Sequence, residues 1–341
     1  MGTALRDLAV ALGTGDDLHV FYNRIQQMLK DLERYRPQTR LDGCLNVWIV
    51  KPGSASRGRG IVLLRQLEDI LALVDSATQR EGKYVVQKYI ERPMLIYNTK
   101  FDIRQWFLVT DWNPLTVWMY KQSYLRFCSQ QFTLGDLKEA VHLCNNAIQA
   151  RYRNGERHAA LPTENMWDAS TFQQFLKSRE AGHAWDQIIY PTMKSAIISL
   201  CLASQTDLEP RKGCFELFGA DFLLTEDFHP WLIEVNSSPA MGASTSVTAW
   251  LCAMCLEDVI RVIVDRRKDA HADVGEFECI LQQPAVASPR YLGIDLALHG
   301  HRLKPPAGRL YADGRRKSRS TSLPPATALK IPKIKVSCVR D

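Results

Sequence analysis

The sequence predicts a mixed α/β fold in which mostly antiparallel strands are flanked by helices. Three observations support this. Hydrophobic residues make up 46% of 341, enough for one large or two modest globular cores. Short runs rich in β-branched and aromatic residues occur in neighbouring pairs bounded by turn residues. Stretches with apolar residues at helical spacing lie between those pairs.

In chain order, residues 17–35 read as a helix with Leu18, Phe21, Ile25, Leu29 and Leu32 on one stripe. "VWIVKP" and "RGIVLL" are short strands on either side of a Gly/Ser loop, and a helix over roughly 66–79 follows. "KYVVQKYI" and "KFDIRQWFLVT" are strands, and Asn113-Pro114 turns the chain into a third, "LTVWMYKQSYLRF". Helices are expected over about 135–150 and 186–205. "CFELFGADFLLT" and "HPWLIEVNSS" form a strand pair, and a helix over about 244–267 closes the folded part, 1–283. From 284 onward Pro, Ser, Arg and Lys accumulate without apolar periodicity, which predicts a disordered basic tail, 284–341.

Composition excludes several classes of protein. No window approaches about 18 uncharged apolar residues, and "SVTAWLCAMCLEDVIRVIV" is interrupted by Glu257, Asp258 and Arg261. "MGTALRDLAVAL" has charges where a signal peptide is apolar, and "CVRD" is a poor prenylation box. No membrane anchor is therefore expected, and no nucleic-acid partner is expected either. Nine scattered cysteines suggest reduced thiols, with Cys252 and Cys255 facing the core of a helix. The net charge of +6 belongs to the tail, because residues 301–341 hold 11 Lys/Arg against 2 Asp. That charge suits either plain solvation or a tether to an acidic polymer.

The last strand pair carries the first chemical signal. With Thr225 facing Pro230 across a four-residue loop, antiparallel pairing places Asp221 opposite Glu234 and Gly219 opposite Asn236. Opposed carboxylates repel, so a positive group is expected between them. Hard oxygen donors from Asp, Glu and Asn suit Mg²⁺ bound together with a phosphate-bearing substrate. The competing reading has Glu234 paired with an arginine and Asn236 or a following serine capping a helix.

Two further stretches add to it. "VWIVKPGSASRGRGIVLL" fails the Walker A and G-x-G-x-x-G patterns, yet sets Lys51, Arg57 and Arg59 among glycines whose N–H groups can approach phosphate. In "TKFDIRQWFLVT", Lys100, Asp102 and Arg104 share one strand face, which passes into Trp106 and Leu108, as a cleft lining would. No protein-kinase signature occurs.

Together "VWIVKPGSASRGRGI", "VVQKYIERPMLI", "TKFDIRQWFLVTDWNPLTVW", "YLRF", "HLCNNAIQ", "FELFGADF" and "PWLIEVNSSP" resemble, in order, the tubulin tyrosine ligase-like family, whose fold is ATP-grasp. "QWFLVTDWNPLTVW", "HLCNN" and "NMW" look most like its monoglycylase branch, which attaches glycine to glutamate side chains of tubulin tails. The resemblance implies ATP and Mg²⁺ as cofactors, tubulin and microtubules as partner, glycine as co-substrate, and a monomer. It also implies a cytoplasmic, cytoskeletal location in cilia or flagellar axonemes.

By motif, the resemblance assigns Lys51 to the ATP phosphates and Arg57, Gly58, Arg59, Gly60 and Ile61 to a flap over them. Gln87, Lys88 and the backbone near Ile90 would bind adenine, Lys100 and Asp102 would face the nucleotide, and Asn145 would approach it. Arg104 and Arg126 would meet phosphate or the acceptor glutamate, and Asp221, Glu234 and Asn236 would hold Mg²⁺. Cys144 stands where a Thr is common in the family. Only 50 residues precede Lys51, so residues 1–92 are expected to be a remnant of the central lobe, with the N-terminal lobe lacking, and 93–283 the C-terminal lobe.

Overall fold

A computed structural model describes residues 15–35, 38, 41, 43–53, 58–78, 83–208 and 213–284. Arg57 and the expected tail beyond 284 lie outside these residues. The described part is a mixed α/β structure of two antiparallel sheets flanked by helices.

The smaller sheet contains β1 (Trp48–Pro52), β2 (Val62–Leu64) and β3 (Tyr84–Lys88) in the order β2-β1-β3. The larger has seven strands. Its spine runs β10-β6-β5-β8-β9, with β4 (Leu95–Ile96) on β5 and β7 (Met166–Asp168) on β6. The spine strands are β5 (Thr99–Trp112), β6 (Leu115–Phe127), β8 (Glu216–Leu224), β9 (Pro230–Asn236) and β10 (Phe277–Gln282).

Period-2 alternation sends successive side chains of β5 to opposite faces, and each face has its own core. On one face Phe101, Ile103 and Phe107 pack with Phe172, Met193 and Ile197. These last three come from α5 (Ala169–Ser178) and α6 (Tyr190–Gln205), the latter preceded by a π-helical turn, Trp185–Ile189. On the other face Trp106 and Leu108 meet Leu251, Cys252 and Cys255 of α7 (Ser246–Ile260). Both thiols of the C-x-x-C pair are buried in this core, as expected. A π-helical turn, Arg261–Asp265, and α8 (Arg266–Lys268) continue α7. The Lys100 end of β5 lies beyond the apolar stretch that α7 covers, and there the same face is charged.

Three expectations need correction. The helix α1 (Gly15–Tyr35) forms, but Phe21, Ile25, Leu29 and Leu32 remain 42–49% exposed; the apolar spacing located the helix without supplying a surface to bury it. The single helix expected over 135–150 is two turns, α3 (Glu139–His142) and α4 (Asn146–Gln149). Side chains take the carbonyls that would continue the helix: Lys100 Nζ donates to His142 O (2.6 Å) and Gln149 Nε2 to Leu143 O (2.5 Å). The sequence reading also placed no element at β4, β7, α5 or β10. The remaining helix, α2 (Leu67–Thr78), forms where expected.

Candidate active site

Four adjacent strands align one row of side chains across the sheet. Cα partners run Tyr124 on β6 to Arg104 on β5, Arg104 to Asp221 on β8, and Asp221 to Glu234 on β9. One rung away, Asp102 faces Arg126; on the other side, Trp106 faces Gly219 and Gly219 faces Asn236. The expected Asp221–Glu234 register is therefore the observed one, although the loop is a residue longer. Leu224, not Thr225, pairs with Pro230, and a bulge between Asp221 and Phe222 restores the alignment.

Arg104 and Asp221 at the centre of the row are buried and ion-paired. Arg104 donates from Nε to Asp221 Oδ1 at 2.5 Å and from Nη2 to Oδ2 at 3.2 Å. Arg126 grips Asp102 with Nε (2.7 Å) and Nη2 (2.6 Å), and the same Nη2 lies 2.8 Å from Asp221 Oδ2. Such bidentate geometry is what a guanidinium's planar fork supplies. Gly219 makes room for it, since a Cβ there would lie 3.1 Å from Arg104 Cδ and 3.0 Å from Pro239.

Protonation follows from this arrangement. Burial alone would raise the Asp221 carboxyl, but the Arg104 and Arg126 charges override it and hold the group below the usual carboxylate range. Asp102 is raised, because burial outweighs its Arg126 pairing. Glu234 is raised by burial and then by the Asp221 charge, against the opposing pull of Lys51.

The small sheet closes over this row. Lys51 Nζ on β1 donates to Ile233 O (3.3 Å) and lies 3.5 Å from Glu234 Oε2. Ile61, Lys100, Asp102, Asn145, Asp221 and Glu234 help enclose a cavity of about 40 Å³. This holds a water molecule or so, whereas ligand pockets measure hundreds of Å³. Gly58, at φ +74°, lies so close to α4 that a Cβ would meet Ile148 Cδ1 at 2.3 Å and Asn145 Oδ1 at 3.2 Å. Gly58 is thus seated on the Asn145 segment.

Of the residues singled out in the sequence, Lys51, Ile61, Lys100, Asp102, Arg104, Arg126, Asn145, Asp221 and Glu234 converge here. Gly58, Arg59 and Gly60 lie in the turn leading to Ile61. Asn236 sits one rung on, its Nδ2 donating to Gly219 O at 3.4 Å. Gln87, paired with Ile49, and Ile90 do not line the cavity. Nor does Lys88, whose ammonium is spent on Val47 O (3.0 Å), Tyr89 O (3.2 Å) and Glu91 Oε1 (2.8 Å).

Sequence reasoning missed the Tyr89–His142 pair. His142 Nε2 meets a carbonyl, Asp136 O (2.7 Å), so it carries the proton, and Nδ1 accepts from the Tyr89 hydroxyl (2.8 Å). That hydroxyl in turn accepts from Lys100 Nζ (2.8 Å). Burial, then the Lys100 charge, lowers the His142 pKa to about 4, so the ring is neutral. "HLCNN" contained the only available signal, a histidine inside a nucleotide-like segment.

Asp221, Glu234 and Asn236 have the hard oxygen donors a Mg²⁺ ion prefers. Burial first and the Asp221 charge second raise the Glu234 carboxyl while Lys51 pulls the other way, and a cation beside it would add to that pull. The expectation of one cation between the carboxylates is modified on one side: both oxygens of Asp221 already meet the protein's own guanidinium groups. A metal ion here would share Asp221 with Arg104 and Arg126. Among the described residues no cluster of three or more His, Cys, Asp or Glu is arranged for a metal.

Residues 14–270 match the model of the tubulin-tyrosine ligase family. The chain is 53% identical over 291 residues to protein monoglycylase TTLL8 of Mus musculus, an alignment covering 84% of this chain and 35% of that protein. It is 52% identical over 286 residues to tubulin monoglycylase TTLL3 of Homo sapiens, covering 83% and 37%. Tubulin glycylase 3A of Drosophila melanogaster is 48% identical over 286 residues, covering 84% and 29%. The chain spans about a third of the length of the curated relatives it matches. With an Arg/Asp/Glu row across its main sheet, a glycine flap above it and a family match over most of its length, the chain belongs to the tubulin-tyrosine ligase family.

Proposed function

We propose that this chain carries the nucleotide and acceptor machinery of an ATP- and Mg²⁺-dependent protein-glycine ligase that joins glycine to glutamate side chains of tubulin tails. The relatives named monoglycylases support the choice of glycine. The observation that carries the reaction class is the Arg104–Asp221–Glu234 row beneath Lys51. It aligns cations and hard carboxylates without an activated nucleophile, as phosphoryl transfer to a carboxylate requires.

In this reading the acceptor carboxylate oxygen attacks the γ-phosphorus and ADP leaves, giving an acyl phosphate. The glycine amine then attacks the acyl carbon, phosphate departs, and loss of an amine proton leaves an isopeptide bond. Lys51 and the Gly58–Ile61 flap orient the phosphates and exclude water. Arg104 and Arg126 neutralise charge on the acceptor and the transferring group, while Asp102 holds Arg126 in position. Asp221, Glu234 and Asn236 would hold Mg²⁺, which neutralises phosphate charge when bound. Lys100 and Asn145 lie toward the nucleotide.

Residues 1–92 and 93–283 correspond to a central-lobe part and a C-terminal lobe, and the protein acts as a monomer on cytoplasmic, ciliary and axonemal microtubules. Incubating the protein with tubulin, Mg²⁺-ATP and either radiolabelled glycine or glutamate tests the assignment. Glycine incorporation is expected, and incorporation of glutamate alone would overturn it.

A further inference from the structure

A groove of about 740 Å³ shares no lining residue with the proposed nucleotide cavity. Its walls are the Tyr97–Asn98 turn before β5, the 156–158 loop, the C-terminal end of α5 and Phe228 of the β8–β9 loop. Tyr97 stacks on His158, with centroids 4.0 Å apart and planes within 4°, and stands edge-on to Phe175 at 5.7 Å. The Arg179 guanidinium lies 5.8 Å from the Tyr97 ring and 5.5 Å from Phe175. Tyr97 and Phe228 both hold left-handed backbone, φ 49° and 64°, a conformation that bulky side chains adopt only when their surroundings impose it.

The charges in this groove are unbalanced. Arg179 is exposed and has no carboxylate partner among the described residues. Arg157 donates only to carbonyls, Cys128 O (2.9 Å) and Pro162 O (3.1 Å), and its Nε is buried without a partner. Against these two cations stands Glu156 on the groove wall.

We propose that this groove binds an extended acidic peptide segment, a glutamate carboxylate pairing with Arg179 while its aliphatic stem lies on the Tyr97–His158 rings. An exposed guanidinium held on aromatic faces presents its donor fork to a planar carboxylate. Single-stranded nucleic acid fits less well, because it is held by a longer track of phosphate contacts than two arginines provide. Tyr97 precedes Asp102 by five positions, so at about 3.4 Å per residue their Cα atoms are at most ~17 Å apart. Tyr97, Phe175 and Leu176 pack on the sheet face opposite Lys100 and Asp102, so an acceptor chain reaches both only by passing around the Tyr97–Asn98 end of β5, which takes more than about five residues. The proposal rests on the ligase reading and makes the groove a second grip on the same acceptor.

The test is anisotropy titration of the full chain with a fluorescent glutamate-rich dodecapeptide, no nucleotide present, beside an all-glutamine control. The wild type is expected to bind the acidic peptide alone. Arg179→Glu should weaken this at least tenfold and leave Mg²⁺-ATP affinity unchanged, and Arg179→Gln serves as a second variant should the charge reversal disturb folding. Equal peptide affinity in wild type and variants, or stronger binding of an oligouridylate at the same site, would overturn the groove assignment. Arg179-dependent peptide binding without any glycine transfer would instead overturn the ligase reading and leave the groove standing.

Discussion

Asp221 is 1% exposed and wedged between two guanidinium groups. Asp221→Asn would leave Arg104 without a carboxylate partner and Arg126 with Asp102 alone, and breaking a buried pair this way costs about 3–5 kcal/mol. Urea unfolding should show that loss. The half-buried Glu234, paired with Lys51 at only 3.5 Å, should cost about 1 kcal/mol or less as Glu234→Gln. His142 gives a pH signature. Its folded pKa of about 4 lies below the unfolded value near 6.5, so stability is complete above about pH 6.5 and falls as pH drops toward 4, by about 3 kcal/mol at most. Asp221, held low, loses its contribution only below that window, while the raised Asp102 and Glu234 act in the opposite direction. The measurement is therefore a difference: His142→Gln should flatten the thermal-stability profile between pH 6.5 and 4 relative to wild type. The carboxylates were legible in the sequence because charge in an apolar strand stands out. Tyr89 and His142 were not, because their link spans 53 positions and neither breaks a local pattern.

At the level of elements, seven of the ten described strands were read, because period-2 alternation and turn residues are local, and β4, β7 and β10 were not. The Asp221–Glu234 register came out right through two offsets that cancel, a longer loop and a bulge. Helical signals were weaker wherever side chains compete for backbone carbonyls, as between α3 and α4. Lys88 shows a similar limit, since "QKYI" cannot reveal that Glu91, buried and accepting from Leu45 and Val47 N–H, captures the neighbouring ammonium. The flap makes an element-level prediction. Gly58→Ala places a Cβ against Ile148 in left-handed backbone, which should unseat the 58–64 segment and cost roughly 1–2 kcal/mol locally. Hydrogen exchange of residues 58–64 should quicken about tenfold or more while β5 and β8 keep their protection.

On the scale of the whole molecule, two helical layers leave one end of one sheet face uncovered by apolar packing, and all the charge of the candidate site gathers there. Folding thus fixes the position of the site through ordinary core formation. The basic residues 301–341 are a separate electrostatic resource. If they tether the chain to acidic tubulin tails rather than being merely solvated, deleting them should flatten the salt dependence of the proposed microtubule binding, measured by co-sedimentation across a salt series. The central claim is that Glu234 and its neighbours engage a nucleotide through Mg²⁺. The most direct test is ATP titration with and without Mg²⁺, comparing wild type with Glu234→Gln. The account predicts that Mg²⁺ tightens ATP binding to the wild type at least tenfold, that the variant loses this gain, and that metal-free affinity is the same in both. An equal Mg²⁺ effect in the two proteins would contradict it.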